Sequence, residues 1–322
     1  MIGEGCYAWR LSSAFLGEER GFQMRRGFSR RKFFQCAGKG AALAAVGTFR
    51  AVADEGLPLP SSTVVRAGDR YVNPRNVLLW ESTRKEIREG FESGKLKAAI
   101  VPTGSTEQHN EHLAMIQDTA SAVLVAQQAA LKLHPQVVVS TPVPVGISPY
   151  WMERKGTLTL RPETFLAFVY DICDSLRAHG FMTIFIVNGH GGNDQPLKSH
   201  VAEWRDKLGV NVDACSYWDA YTSSEGMKAE TSKLMRSGVE RVPGHSAEFE
   251  TSFALAAFPE RIHREGVDYE KVRLRLKDPQ DAKDDRDYYR ESMFATEEKG
   301  EALIRIAVDW VAARLQNMME RG

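Results

Sequence analysis

TIFIVNGHGGN, residues 183–193, joins a continuous apolar run to a histidine that stands among three glycines. The run from Thr183 to Val187 is typical of a strand that is buried on both faces of a parallel sheet. Glycine permits tight backbone turns and the close approach of a bound group, so the glycines around His190 favour a binding site. The alternative is a glycine-rich turn in which the histidine is incidental.

Strand and helix patterns alternate on both sides of this stretch. Further strands are predicted at 97–102, 136–141 and 210–217. Helices are predicted at 83–94, 119–133, 162–179, 194–208, 247–258 and 297–318. Because strands that alternate with helices form parallel sheets covered on both faces, we predict an α/β fold with three layers, αβα, and a central, mostly parallel sheet.

A second polar cluster follows the strand predicted at 97–102. Residues 104–112 are GSTEQHNEH, and Asp118 comes just before the next predicted helix. Glu107 and His109 are two residues apart, so they project to the same side of an extended segment. Ligands bind at the carboxyl ends of strands in open parallel sheets. Carboxylate and imidazole donors there suit divalent Zn, Mn or Fe, unless the segment is only a solvated loop.

A third cluster, GHSAEFETS at residues 244–252, begins a predicted helix. Its two acids, Glu248 and Glu250, lie about 200° apart on a helix, so they cannot both face one site. A helix that simply carries acids near its N-terminus would have the same pattern.

The order of these motifs resembles that of the creatininase (creatinine amidohydrolase) family. The chain contains GSTEQH followed by an Asp, then a G-x-S…G-T segment at 146–157, then NGHGGN, then H-x-x-E-x-E-T-S, over about residues 75–259. The resemblance implies a creatininase-like α/β fold, often assembled as hexamers. It also implies a site for two divalent metal ions that opens amide-type C–N bonds in small molecules.

Metal ligands can be carried over from the family by position. The resemblance implies that Glu107, Asp118 and His190 hold one metal ion, and that His109 and Asp118 hold the second, with Asp118 bridging the two. Creatininase has a glutamate two residues after the histidine of the NGH motif, where this chain has Gly192. We expect Glu250 to supply the missing carboxylate, with Glu248 as the second choice.

The expected catalytic residues are His245 and one of these two acids. Glu250 or Glu248 would take a proton from a metal-activated water, and His245 would protonate the leaving nitrogen as a general acid. His112 is expected to orient a ligand from outside the ligand set.

Three departures from the family pattern lie on the substrate side of the site. Asn110 and Glu111 replace the usual Gly and Pro after EQH, and Trp151 replaces a histidine that often follows G-x-S. The expected substrate is a small molecule, either cyclic or open, and the three departures argue against creatinine. Two alternatives stay open: a hydrolase that opens a cyclic ketone of inositol or carbohydrate type, and a non-catalytic periplasmic protein that binds a metal or a solute.

The N-terminal region resembles a twin-arginine export signal. Residues 29–34 are SRRKFF, a mild apolar stretch follows from Ala37 to Val46, and small residues end the region at 51–53. These three parts predict a signal peptide at 1–53, an extended lead-in at 54–75 and a hydrolase domain at 76–322, with a periplasmic or secreted destination. The apolar stretch is too short for a stable membrane anchor, and the alternative is a basic tail.

The charge composition limits the classes of binding partner that can be expected. The chain of 322 residues has 42 basic and 42 acidic side chains, so it has no net charge to attract nucleic acid or an anionic membrane. A small-molecule partner is the simpler expectation. Cys173 and Cys215 could pair or remain free and buried. The charged, Tyr-rich segment 260–298 is predicted to be a surface excursion: a lid, a subunit contact or a solvated loop.

Overall fold

The computed structural model describes residues 77–265 and 279–321. The predicted signal peptide at 1–53 and the lead-in at 54–75 lie outside the described residues, as does part of the excursion at 260–298. In the described part, none of the helices is long and apolar enough to cross a membrane.

Four strands form a parallel sheet in the described part of the chain. They are β1 (Ala98–Thr103), β2 (Val137–Val139), β3 (Thr183–Asn188) and β4 (Asn211–Ser216), and their order across the sheet is β2-β1-β3-β4. Each pair of neighbouring strands is parallel. Every residue of β1 and β3 is buried, as the continuous apolar run at 183–187 predicted.

Helices cover both faces of this sheet. Helices α1 to α8 span, in chain order, Arg84–Glu92, Gln117–Lys132, Pro162–Ala178, Gly191–Leu208, Glu225–Leu234, Glu248–Ala257, Pro279–Ser292 and Glu297–Arg321. Local sequence signals explain several of these ends. Thr83 and Glu86 form a capping box at the start of α1, and Pro162 opens α3 in the first turn, where its missing N–H costs nothing.

The two faces of β3 separate the hydrophobic interior into two cores. Ile184 and Ile186 belong to a core that also holds residues of α3 and α4, including Phe165, Val169, Leu197 and Trp204. Phe185 and Val187 belong to the other core, with residues of α2, α6 and α8, including Leu124, Phe253 and Leu303. Successive side chains of a strand point to opposite faces, so this division confirms the predicted αβα layers.

Some predicted boundaries were wrong. Helix α4 begins at Gly191 rather than at Asp194, because His190 already serves as its N-cap residue. The strand predicted at 136–141 is shortened to β2, since Pro142 and Pro144 follow it and cannot donate to a ladder.

The two cysteines do not pair. Cys173 and Cys215 are both buried free thiols. Cys173 lies in the core on the α3 side and Cys215 in the core on the α2 side, so the sheet stands between them. Burial raises the pKa of the Cys173 thiol to about 12, which keeps it protonated and inert.

Candidate metal centre

The register of the sheet brings the two polar clusters together. Thr103, the last residue of β1, pairs with Asn188, the last residue of β3. The Thr103 hydroxyl donates to Oδ1 of Asn188 over 3.1 Å. The loop after β1 and the loop after β3 therefore begin side by side at the carboxyl edge of the sheet, where the motifs predicted a site.

Buried amides hold these loops in place. Nδ2 of Asn193 donates to the carbonyl oxygen of Gly104 over 3.0 Å, and its Oδ1 accepts from the backbone N–H of Ile147 at 3.0 Å. Nδ2 of Asn188 donates to the carbonyl oxygen of His190 over 2.7 Å. Sequence reasoning treated the asparagines of NGHGGN only as part of a motif, whereas the structure assigns them the joining of three loops.

His109 points one ring nitrogen into the cluster. Its Nδ1 donates to the carbonyl oxygen of Glu107 over 3.0 Å, which leaves the lone pair on Nε2. Nε2 lies 2.8 Å from Oδ1 of Asp118 and 3.6 Å from Oε2 of Glu250. The side chain of His109 is fully buried.

His190 has the opposite orientation. Its Nε2 lies 3.0 Å from the carbonyl oxygen of Ile147, an atom that can only accept, so Nε2 carries the proton. Its Nδ1 then presents a lone pair at 2.9 Å from Oδ2 of Asp118 and 3.4 Å from Oε1 of Glu107. Histidine ligands of metals are commonly fixed in this way by a bond from the other ring nitrogen.

These side chains form two groups of donor atoms that share Asp118. Glu107, Asp118 and His190 offer atoms within 4.8 Å of one another, and so do His109, Asp118 and Glu250. A third combination, Glu107 with His109 and His245, meets the same distance. The first two groups contain the residues that the resemblance implied, and Glu250 is the carboxylate that joins His109 and Asp118 in the second.

The donor set fits divalent metal ions. Oε2 of Glu107 and Oδ2 of Asp118 are buried without a hydrogen-bond partner among the described residues. A buried carboxylate oxygen without a partner is costly, and ligation of a cation would offset that cost. Two carboxylates and an imidazole suit Zn or Mn, whereas a purely structural zinc site would close its shell with cysteines or histidines.

The pKa values of the two histidines show how strongly the buried carboxylates of the cluster favour positive charge. Burial disfavours charged imidazole, yet Asp118 and Glu250 raise the pKa of His109 to about 10, and Asp118 and Glu107 raise that of His190 to about 10. Burial likewise opposes ionisation of Asp118, but His109 and His190 lower its pKa. Without a metal the cluster therefore holds protons on the nitrogens that a metal would occupy.

The structure separates the two acids of the third motif. Glu250 accepts a hydrogen bond from the backbone N–H of Ser246 within the cluster, and burial raises its pKa to about 8. Glu248 is also buried but points away from the cluster. It accepts from the backbone N–H groups of Arg236 and Ser237 and from Lys299. Of the two candidates, only Glu250 is brought to the site.

His245 lies beside the cluster in a neutral state. Oε1 of Gln108 accepts from the backbone N–H of Asn110 at 2.9 Å, which turns Nε2 of Gln108 toward Nε2 of His245 at 2.9 Å. The amide donates, so the proton of His245 sits on Nδ1, at 3.7 Å from Oε1 of Glu107. Burial and the nearby His109 lower the pKa of His245 well below its usual value. Sequence reasoning missed Gln108.

Two of the residues that depart from the family pattern, Trp151 and Asn110, take structural roles here. Trp151 stacks on His245, with ring centroids 4.6 Å apart, and the Arg154 guanidinium lies 4.5 Å from the centroid of the Trp151 ring. Asn110 adopts a left-handed backbone with φ 57°, a conformation that glycine and asparagine tolerate best. Its Nδ2 donates to Ser246 over 2.8 Å, so it ties the first motif to the third.

His112 lies outside the ligand groups. Its Nε2 lies 3.1 Å from the Thr251 hydroxyl, next to Glu250 in the chain. Burial and the positive charge of Arg264 lower the pKa of His112 to about 3. The buried ring thus contacts the first turn of α6 from a position outside the donor groups. Its expected role in orienting a ligand stays a prediction.

A buried carboxylate–imidazole cluster at the carboxyl edge of a parallel αβα sheet is typical of α/β proteins that bind a metal ion. The family model described as "Creatininase: Creatinine amidohydrolase" matches residues 80–315. The chain belongs to the creatininase family.

Curated relatives of this chain have several activities. It is 29% identical over 199 residues to the 3-dehydro-scyllo-inosose hydrolase of Thermotoga maritima, covering 60% of each chain. It is 28% identical over 170 residues to the mycofactocin precursor peptide peptidase of Mycobacterium ulcerans, covering 51% of this chain and 59% of that protein. It is 25% identical over 212 residues to the creatinine amidohydrolase of Pseudomonas putida, covering 60% and 76% respectively. The matched region spans about three fifths of the length of the first two relatives.

Solved creatininase structures have the same fold. A crystal structure of creatinine amidohydrolase superposes with a TM-score of 0.61 at 24% identity, covering 75% of this chain and 97% of that one. A structure described as creatininase Mn gives a TM-score of 0.61 at 22% identity, with coverage of 75% and 98%. These likenesses confirm the creatininase-like α/β fold.

Proposed function

We propose that this protein is a metal-dependent hydrolase that cleaves an amide-type C–N bond in a small molecule. The observation that carries the proposal is the pair of buried donor groups that share Asp118, in which two carboxylate oxygens lack a hydrogen-bond partner. The creatinine amidohydrolase and peptide peptidase names among the relatives support C–N cleavage.

The cluster would hold two divalent ions, Zn, Mn or Fe. Glu107, Asp118 and His190 would hold one, and His109, Asp118 and Glu250 the other. Such a pair supplies a water with a lowered pKa and polarises a carbonyl group. The cores on both sides of the sheet and the buried amides of Asn188 and Asn193 keep the donors fixed, which spares reorganisation during the reaction.

Glu250 is suited to move a proton. Burial raises the pKa of its carboxyl group in the metal-free cluster, and a bound cation would shift the balance back to the carboxylate, which is the form that accepts a proton. It can take a proton from the attacking water and return it to the leaving nitrogen. The same carboxylate also serves as a metal donor, which keeps it next to the reacting atoms.

His245 is suited to donate a hydrogen bond rather than a whole proton. Its Nε2 faces an N–H of Gln108, so a second proton on that nitrogen would meet a donor. The neutral ring presents its Nδ1–H on the side of Glu107. We therefore revise the expected general-acid role: His245 would stabilise the leaving atom through Nδ1–H, while Glu250 carries the proton.

A second reaction is favoured by one relative. The inosose hydrolase of Thermotoga maritima is the curated relative with 29% identity over 199 residues. Opening of a cyclic, carbohydrate-like ketone on the same donor groups is therefore the second candidate.

The test is turnover by protein loaded with Mn or Zn on a panel of N-formyl compounds, lactams, creatinine, short peptides and inositol-type ketones. We expect at least one substrate to be hydrolysed, with His190→Ala slower by about a hundredfold or more, since loss of even an outer partner of a metal costs that much. The matched control is His200→Ala, because His200 lies in α4, the helix that His190 caps, bonds to the Pro196 carbonyl and belongs to none of the donor groups. Full turnover by His190→Ala would refute the assignment, and tight binding of a compound without turnover would favour the solute-binding alternative.

We also propose that the protein is exported by the twin-arginine route to the periplasm or beyond, and that it assembles as a homo-oligomer, a hexamer by family resemblance. The SRRKFF motif at 29–34 supports export. A route that carries folded proteins would let the metal centre load before export.

A further inference from the structure

Gly192 lies in the first turn of α4, directly after His190, and its Cα closely approaches neighbouring groups. A Cβ on Gly192 would lie 2.0 Å from the carbonyl oxygen of Ile147 and 2.7 Å from both Nε2 of His190 and the hydroxyl oxygen of Tyr150. No side chain fits there without displacing backbone. The space beside His190 that a side chain at 192 would otherwise enter is taken by the Tyr150 hydroxyl.

Tyr150 reaches this place from outside the site. It lies in a short 3₁₀ turn, Pro149–Trp151, and 54% of its surface is exposed. Its ring stacks near that of His190, with an interplanar angle of 22°, and its hydroxyl oxygen lies 3.3 Å from Nε2 of His190. Burial and the charges of Glu107 and Asp118 raise the pKa of the phenol, so its hydroxyl stays protonated beside the His190 ring.

The hydroxyl hydrogen is not used by these neighbours. Nε2 of His190 carries its own proton, because it also faces the carbonyl oxygen of Ile147 at 3.0 Å. The backbone N–H of Gly192 also faces the phenol oxygen. Toward both groups Tyr150 can only accept, and among the side chains and backbone groups that the structure describes no carboxylate or carbonyl receives its O–H. A phenol is protonated at neutral pH, so one directed donor remains beside the His190 ring.

We propose that Tyr150 is a substrate-binding residue whose O–H donates a hydrogen bond to an oxygen atom of the substrate held at the metal cluster. The site then selects molecules that carry a carbonyl, carboxylate or hydroxyl oxygen at that point over molecules that present a cationic N–H group. This inference rests on the proposed function, because it takes the cluster to be the place where substrate is held.

The aromatic side chains next to Tyr150 support the proposed role in substrate binding. Tyr150 and Trp151 meet edge to face, with ring centroids 5.5 Å apart, and Trp151 continues to His245 by stacking. A planar or ring-shaped substrate would lie against these aromatic groups and place its oxygen at the Tyr150 hydroxyl.

Acetohydroxamate is a suitable probe, because it binds metal ions through two oxygens and leaves an oxygen lone pair for a donor. Its Kd is measured by calorimetry on metal-loaded wild type, Tyr150→Phe and Tyr170→Phe, together with metal content. Tyr170 is the matched control, since it lies on α3 and packs against Trp204 of α4, with ring centroids 5.9 Å apart. We expect Tyr150→Phe to keep its metal and to bind about tenfold more weakly, as for loss of one hydrogen bond to a charged group, while Tyr170→Phe is unchanged.

Two outcomes would overturn the inference alone. One is a Kd for Tyr150→Phe within about twofold of wild type. The other is loss of metal in Tyr150→Phe, which would show that the hydroxyl only orients His190. A wild-type protein that takes up no metal would overturn the proposed function itself, and this is seen before any probe is added.

Discussion

Oδ2 of Asp118 lies 2.9 Å from Nδ1 of His190, the ring nitrogen that points into the cluster. The other ring nitrogen, Nε2, keeps its own proton because it faces the Ile147 carbonyl oxygen at 3.0 Å. In the metal-free protein the raised pKa of His190 places a second proton on Nδ1, between the two residues. A divalent cation that replaced this proton would be held by both side chains.

Gly192→Ala should destabilise the protein while Gly191→Ala should not. The added methyl group at 192 would lie 2.0 Å from the Ile147 carbonyl oxygen, whereas at 191 nothing lies within 4 Å. We expect Gly192→Ala to lower the free energy of unfolding by about 1–3 kcal/mol, as overpacking does. Gly191→Ala should stay within about 0.5 kcal/mol of wild type. Equal stabilities of the two variants in denaturant titrations would contradict this prediction, because they would show that the backbone around residue 192 can move to accept a methyl group.

Glu248→Gln should affect stability and spare the metal centre. Glu248 accepts hydrogen bonds from two backbone N–H groups and Lys299, so loss of its charge should cost about 1–3 kcal/mol of the unfolding free energy. Glu250→Gln, two residues along the same helix, should instead reduce metal content. Metal analysis and denaturant titration on both variants separate the roles, and loss of metal in Glu248→Gln would contradict the assignment.

His112 should make the folded state sensitive to acid. Its pKa is about 3 in the folded protein and 6.5 in the reference state. Between these values the unfolded chain binds a proton that the folded chain does not, so stability falls as the pH falls from about 6.5 toward 3. His112→Gln should flatten this part of the pH profile relative to wild type. His179→Gln, at an exposed position, serves as control, and a profile unchanged by His112→Gln would contradict the account.

Substitution of Arg30 and Arg31 by Lys should abolish export. Paired arginines are the address read by the twin-arginine route. We expect the wild-type protein in the periplasmic or secreted fraction and the double variant inside the cell, by immunoblotting of fractions. The same substitutions at Arg25 and Arg26, which lie outside the SRRKFF motif, should leave export intact. Export of the Arg30/Arg31 variant at the wild-type level would refute the predicted signal.

The sequence was sufficient to predict the αβα layers and the meeting of the first two motifs at one edge of the sheet. The apolar run at 183–187 marks a doubly buried strand, and the motifs follow strands whose carboxyl ends meet. Position in the chain could not decide between Glu248 and Glu250, because the rotation of α6 about its axis depends on its packing against α2 and α8. The start of α4 was placed too late since glycines at 191 and 192 are weak helix formers.

Contacts between residues that are far apart in the sequence could not be predicted from the sequence. Tyr150 and His190 are 40 residues apart, and only the fold brings the phenol over the imidazole. The segment 260–298 has few apolar residues at helical spacing, so α7 (Pro279–Ser292) was not predicted. That helix places Tyr288 with its ring centroid 6.3 Å from that of His245. Its ion pair from Glu291 to Arg241 holds the end of α7 beside the site.

The most direct test of the central claim is the number of divalent ions bound per chain by wild type, Asp118→Asn and Asp309→Asn after loading with Mn or Zn. Because Asp118 belongs to both donor groups, the account predicts about two ions in wild type and none in Asp118→Asn. Asp309 pairs with Lys132 on the surface, so its variant should keep both ions. Two ions retained by Asp118→Asn, or none taken up by wild type, would contradict a binuclear centre built on this residue.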